Sequence, residues 1–121
     1  MAGTATITYS ESRPGISSVT WAWTSDASGD VNGTDTVSIS AEAVRWVTNP
    51  GTAAPTASYD IVVNDSDAAD VSAGVLANRH TSNTEQAYPA ADTYHAVDGP
   101  LSLVVTNAGS AKTGTLTMYY R

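Results

Sequence analysis

The sequence contains no cysteine and no phenylalanine, and only 14% of its residues are charged. Without cysteine the chain can form no disulfide, no zinc–thiolate site and no thiol nucleophile. Without phenylalanine, the bulk of a core must come from three tryptophans, six tyrosines and the aliphatic residues. Aromatic and β-branched residues set among Thr, Ser, Asn and Gly are typical of strands joined by turns, so the composition favours an all-β protein.

Basic residues are also scarce: five Lys and Arg stand against twelve Asp and Glu, which gives a formal net charge of −7. A nucleic-acid-binding protein needs a basic surface to displace counterions from phosphates. We therefore expect no direct nucleic-acid partner and no anionic membrane surface. Residues 1–4 lack the charged and apolar regions of a signal peptide, so we expect synthesis in the cytoplasm.

Alternation of apolar and polar residues predicts strands at 4–9, 16–24, 34–39 and 57–63. Residues 40–47 suit either a strand or two helical turns, and we favour the strand because so short a helix is marginal. A short helical turn is predicted within 71–78. Together these signals predict an antiparallel β-sandwich, immunoglobulin-like or jelly-roll-like, with about seven or eight strands and a long irregular loop near 79–94. We treat residues 1–121 as a single domain, with 1–6 as a candidate extended N-terminal arm.

The clearest β pattern lies at the C-terminal end of the sequence. Two β-rich runs, Leu101–Thr106 and Thr113–Arg121, flank a short polar segment that contains Gly109. This is the sequence pattern of a β-hairpin with a longer loop, so we predict that the two runs pair with each other.

The acidic segment with Asp65, Asp67 and Asp70 is the best candidate for a cation site, since carboxylates at alternate positions can converge on Ca²⁺. Its spacing does not fit an EF-hand loop, however. The same residues suit a turn between strands, in which Asp side chains accept hydrogen bonds from nearby main-chain amides. We predict the turn, with a bound cation as the open alternative.

His80 and His95 are the two histidines of the chain. Hydrolase chemistry of the serine type needs a histidine between a nucleophile and an orienting acid, and no Gly-x-Ser-x-Gly motif is present. We interpret both residues as surface or subunit-contact histidines and predict no catalytic, metal or cofactor site, so the protein is not expected to be an enzyme. A small hydrolase built around either histidine is the alternative.

Trp21 and Trp23 share one face of a predicted strand, and Trp46 lies in the ambiguous segment at 40–47. Exposed together, such tryptophans would form a platform on which sugars stack. Because phenylalanine is missing, the core needs this bulk, and we predict that all three are buried.

Six short runs carry a resemblance to known proteins: Tyr59–Asp65, Asp70–Val71 with Gly74, Ala77–Arg79, Asn83–Glu85, Val97–Gly109 and Lys112–Thr115. With these runs, residues 59–121 resemble a family of short proteins encoded among the structural genes of tailed bacteriophages. Capsid decoration (cement) proteins are the members that the sequence resembles most. The runs consist of turn and strand residues, so they point to a shared scaffold rather than a shared catalytic site.

The resemblance implies a non-enzymatic virion protein on the capsid exterior, typically a homotrimer, which binds the major capsid protein of an assembled shell and stabilises it. Tail or head–tail connector proteins are one alternative, and a carbohydrate- or surface-binding β-sandwich module is another. We expect contacts in residues 1–6, in the loop at 79–94 and in segment 26–33. The candidate contact residues are Ala2, Thr4, Arg79, His80, Glu85, Tyr88 and Tyr94.

Overall fold

A computed structural model of the chain describes residues 3–12, 15–90 and 94–121. Within these ranges the chain forms β-strands and no helix, so none of its described segments is a helix long and apolar enough to span a membrane. The all-β prediction is confirmed, with nine strands. They are β1 (Thr4–Ser12), β2 (Ile16–Thr24), β3 (Val31–Ser38), β4 (Ala41–Pro50), β5 (Asp60–Asn64), β6 (Glu85–Ala87), β7 (His95–Val97), β8 (Pro100–Thr106) and β9 (Thr113–Tyr120).

The strands form two antiparallel sheets, as a β-sandwich requires. Sheet A has the order β1-β2-β9-β4-β6, and β7 pairs with β4 beside β6. Sheet B has the order β3-β8-β5. The predicted sandwich is therefore confirmed, and the segment at 40–47 is a strand, as favoured.

The core lies between the two sheets. It is built mainly from alternate residues along the strands, those that point inward. Its largest fully buried side chains are Trp21, Trp23, Trp46, Tyr59, Ile61, Leu76, Leu101, Leu103, Leu116 and Met118. The tryptophans are at most 1% exposed, which confirms the prediction that they are core residues. The alternative hypothesis, a sugar-stacking platform made of these indoles, is therefore wrong.

The predicted C-terminal hairpin is also wrong, because β8 and β9 lie in different sheets. β8 pairs with β3 and β5, whereas β9 pairs with β2 and β4. The segment between them crosses from sheet B to sheet A, with positive φ angles at Asn107, Gly109 and Ala111. Ser25 holds this crossing: its Oγ donates to the Gly109 carbonyl at 2.6 Å and accepts from the Lys112 N–H at 2.8 Å.

Three other segments differ from the sequence prediction. Residues 71–78 make successive turns and no helix, since the N–H groups of Ala73, Val75 and Ala77 each bond to the carbonyl three residues back. The region near 79–94 contains the strand β6, so it is not an irregular loop throughout. Of the candidate arm at 1–6, residues 4–6 pair with β2 as part of sheet A, and residues 1 and 2 lie outside the described ranges.

Candidate interaction surface

The outer face of sheet A carries an array of threonines that we call the threonine face. Pairing of β1, β2 and β9 aligns their outward residues in three rows of three. The rows are Thr4, Thr24 and Thr113; Thr6, Ala22 and Thr115; and Thr8, Thr20 and Thr117. The alternation that turns tryptophans and other apolar side chains into the core turns these residues outward.

The threonine face presents methyl and hydroxyl groups and no charge at any of its nine positions. Neighbouring strands lie about 4.8 Å apart, and alternate residues along a strand are about 7 Å apart, so the rows repeat at nearly fixed distances. Two of its hydroxyls, those of Thr20 and Thr117, bond to each other at 2.9 Å. At its centre Ala22 is exposed. Such a surface can contact another macromolecule without desolvating a charge.

A cluster beside the threonine face, which we call the aromatic flank, joins Arg45, Gln86, Tyr88 and Tyr119. The Arg45 guanidinium carbon lies 4.9 Å from the centre of the Tyr119 ring, which is a cation–π contact. Arg45 Nε donates to Gln86 Oε1 at 2.8 Å, and Tyr88 Oη donates to the same oxygen at 2.9 Å. Tyr88 is still 55% exposed. The flank thus presents a fixed arginine and an accessible aromatic ring.

Three of the predicted contact residues, Arg79, His80 and Glu85, lie together, and their hydrogen bonds hold the chain in place. Glu85 Oε1 accepts from the His80 main-chain N–H at 2.7 Å and lies 3.9 Å from Arg79 Nε. His80 Nδ1 accepts from the main-chain N–H groups of Ser82 and Asn83, at 3.0 and 2.9 Å. These bonds fix the path of residues 79–85 into β6.

The remaining predicted contact residues lie in separate places. Thr4 belongs to the threonine face and Tyr88 to the aromatic flank, whereas Tyr94 is 77% exposed next to β7. Ala2 lies outside the described residues. The threonine face was not predicted as a unit, although the patterns Thr-x-Thr-x-Thr at 4–8 and at 113–117 place threonines on one side of each strand.

His95 is not a surface residue, which corrects the interpretation made from the sequence. It is 5% exposed and packs against Trp46, whose Nε1–H donates to His95 Nδ1 at 3.0 Å. Burial lowers the pKa of His95, and the nearby Asp70 carboxylate raises it to a smaller extent. Because Nδ1 is engaged with the indole, that nitrogen is not available as a general base.

The acidic segment forms the turn that we predicted. Asp65 Oδ1 accepts from the N–H groups of Asp67 and Ala69 at 2.9 and 3.0 Å. Asp70 accepts from Val63 N–H and from both Ser72 donors through Oδ1, and from Gly74 N–H through Oδ2. Across the described ranges, no group of three or more His, Cys, Asp or Glu side chains is arranged to hold a metal ion.

No protein-family model matches the chain, and no curated protein matches it. Among solved structures, the chain is similar to a cupin domain from Bordetella pertussis Tohama I. The two share 10% sequence identity with a TM-score of 0.43, over 100% of this chain and 97% of the cupin domain. A likeness of this degree supports no statement about function.

Proposed function

We propose that this protein is a non-enzymatic virion component of a tailed bacteriophage, which binds the outside of the assembled capsid and stabilises it. The threonine face is the observation that carries the proposal, because it is a neutral surface on a paired sheet. The resemblance of residues 59–121 to phage structural proteins supplies the class of partner, the major capsid protein. Binding of this kind requires no chemistry.

A neutral face suits a contact that must form without a large desolvation cost. Burying an unpaired charge is expensive, whereas hydroxyl groups can exchange water for carbonyl and amide partners at low net cost. The acidic residues elsewhere on the surface can still meet basic capsid residues around the contact, where exposed pairs are weak and screened by salt. The face then supplies the contact, and the surrounding charges assist the approach.

The size of the threonine face argues for several contacts acting together. Its corners lie about 10 Å apart across the strands and about 14 Å apart along them. A stable interface between two proteins buries roughly 800 Å² on each partner, which is several times this area. The aromatic flank can extend the contact, and a trimer that grips several capsid subunits at once gains further through multivalency.

The alternatives differ in what supports them. A carbohydrate-binding module loses its main support, since the three tryptophans are buried. A tail or head–tail connector protein rests on the same resemblance as a decoration protein. The position of the protein in a particle reconstruction distinguishes these two locations on the virion.

The proposal is tested by sedimenting the protein with shells assembled from the major capsid protein of the same genome. We expect the wild-type protein to bind shells and not free capsid subunits. Ala22→Lys puts a charge at the exposed centre of the threonine face and should reduce shell binding at least tenfold. Thr36→Lys, at an exposed position of β3 in sheet B, is the matched control and should bind as the wild type does. Failure of the wild type to bind shells, or equal binding by both variants, would overturn the proposal.

A further inference from the structure

The edge strands of the two sheets are protected to different degrees. In sheet B, a neighbouring segment covers the outer edge of β5: Ile61 N–H donates to the Leu76 carbonyl at 3.1 Å, and Val63 N–H donates to Asp70 Oδ1 at 3.2 Å. The register of β3 with β8 shifts between Asn32 and Thr36. In sheet A, β6 and β7 are only three residues long. A covering segment, an irregular register and a short strand are three features that keep a sheet edge from pairing with another chain.

Strand β1 is neither short nor irregular, although β3 lies near part of it. It pairs with β2 over nine consecutive residues without a bulge, and it is the terminal strand of sheet A. Its residues 4–10 include no charged residue and no proline. Near its start, Gly3 lies against the main chain of Asp30 and Val31, whereas Thr6, Thr8, Tyr9 and Ser10 farther along are exposed.

This part of the edge also bears an exposed aromatic side chain. Tyr9 is 55% exposed although it shares the core-facing side of the strand with Ile7, which packs against the core. A sheet edge without charged residues, as at positions 4–10 of β1, can offer its main-chain N–H and C=O groups to another strand. A tyrosine beside it can then stack on a side chain of the incoming strand.

We propose that β1 pairs with β1 of a second copy of this chain, antiparallel about a twofold axis, so that the two copies of sheet A form one continuous sheet. The strand is complementary to itself. With Thr8 opposite Thr8 of the second copy, each Tyr9 lies opposite an Ile7 and each Thr6 lies opposite a Ser10. Apolar side chains then meet on one face and hydroxyls on the other, as a symmetric interface requires.

Two consequences follow from this geometry. A single strand pair buries much less than the roughly 800 Å² per partner of a stable interface, so the association depends on protein concentration. The threonine faces of the two copies become neighbours on the same side of the joined sheet, which doubles the neutral surface. The pairing uses the edge of sheet A and not its outer face, so it can be tested separately from shell binding. A twofold dimer would take the place of the trimer that the phage resemblance implies.

The experiment measures mass by sedimentation equilibrium over a range of protein concentrations. The wild-type protein should approach twice the 12.5 kDa of one chain as the concentration rises. Thr6→Lys/Ser10→Lys places like charges opposite each other at two positions of the pair and should raise the dissociation constant at least tenfold. Mixing it with Thr6→Glu/Ser10→Glu should restore the dimer, because the opposite charges then meet. Ala96→Lys, at an exposed position of β7 on the other side of sheet A, should leave the mass unchanged.

Circular dichroism of each variant verifies that the sandwich is folded. A wild-type protein that stays monomeric at every concentration would overturn the pairing. So would a Lys variant that dimerises as the wild type does, or a mixture of Lys and Glu variants that fails to associate. A mass of three chains would favour the trimer implied by the phage resemblance and would also overturn the twofold pairing.

Discussion

Protonation of the buried histidine is expected to destabilise the fold. His95 is almost fully buried, and its Nδ1 accepts a hydrogen bond from Trp46 Nε1 at 3.0 Å. The ring is therefore neutral in the folded protein, with its proton on Nε2. Adding a proton at Nδ1 would place two N–H groups against each other in the core. Loss of the Trp46–His95 hydrogen bond on protonation, together with burial, favours the neutral form of the His95 ring.

The direction of the pH dependence follows from the pKa of His95. Burial, the larger effect, lowers the folded-state pKa below the ordinary value of 6.5, and Asp70 only partly offsets this. Between the two pKa values the unfolded chain binds a proton that the folded chain does not. The free energy of unfolding therefore falls as pH falls below 6.5, by at most about 1.4 kcal/mol for each pH unit.

The measurement is urea unfolding of wild type and His95→Phe between about pH 5 and about pH 8, the range in which histidine titrates. The variant keeps a ring but cannot titrate, and it leaves the Trp46 N–H without its acceptor, at a cost of about 1–3 kcal/mol at every pH. We expect the difference between the two proteins to shrink as pH falls. Parallel curves for wild type and His95→Phe would refute the reasoning.

Two further substitutions test how the core and the acidic turn are held. Gly114→Ala places a β-carbon 2.5 Å from Trp23 Cζ2, so the indole must shift, and we expect a loss of about 1–3 kcal/mol in the free energy of unfolding. An Ala variant as stable as wild type would show that the indole moves freely. Asp70→Ala removes the acceptor of four hydrogen bonds and should cost about 1–3 kcal/mol in urea unfolding, whereas Asp67→Ala, at an exposed position, should change stability little. Equal losses in the two Asp variants would contradict the assigned role of Asp70.

The strands and their faces could be predicted because the alternation of residues is a local property. In β2, a period of two places Val19, Trp21 and Trp23 on one side, and the structure buries all three. The missing phenylalanine strengthened the inference, since few other side chains could fill the core. Strand ends were less accurate: β3 begins at Val31, three residues before the predicted start, because pairing with β8 extends it into the turn.

The pairing of β8 with β9 could not be predicted, because strand partners are decided by contacts far apart in sequence. The pattern of two β-rich runs around a glycine is the same for a hairpin and for a crossing between sheets. The crossing is fixed by Ser25, more than 80 residues away, and by Thr56, whose N–H and Oγ1 bond to the carbonyls of Ala108 and Asn107. Neither residue carries a sequence signal for this role.

The candidate interaction surface could not be predicted either, because it also depends on which strands pair. Each Thr-x-Thr pattern is visible in one strand, but the array exists only when β2 lies between β1 and β9 in the observed register. The aromatic flank likewise joins Arg45 to Gln86, 41 positions apart. His95 is the exception, since alternation with Val97 would have indicated an inward side chain if the short strand β7 had been assigned.

The distribution of charge connects the fold to the proposed binding role. The acidic residues of the turns are used locally: Asp26, Asp65 and Asp70 accept main-chain N–H groups, and the N–H of Asp30 is the main cause that lowers the pKa of Asp26. The turns can therefore carry much of the net charge of −7 without placing it on the threonine face. Copies of so acidic a chain repel each other at long range. The threonine face and the edge of β1 carry no charge at the positions described above, so close contact is possible at both. Because the strand order makes β1 both a part of the threonine face and the terminal strand of sheet A, contact with a shell and contact with a second copy would share this strand.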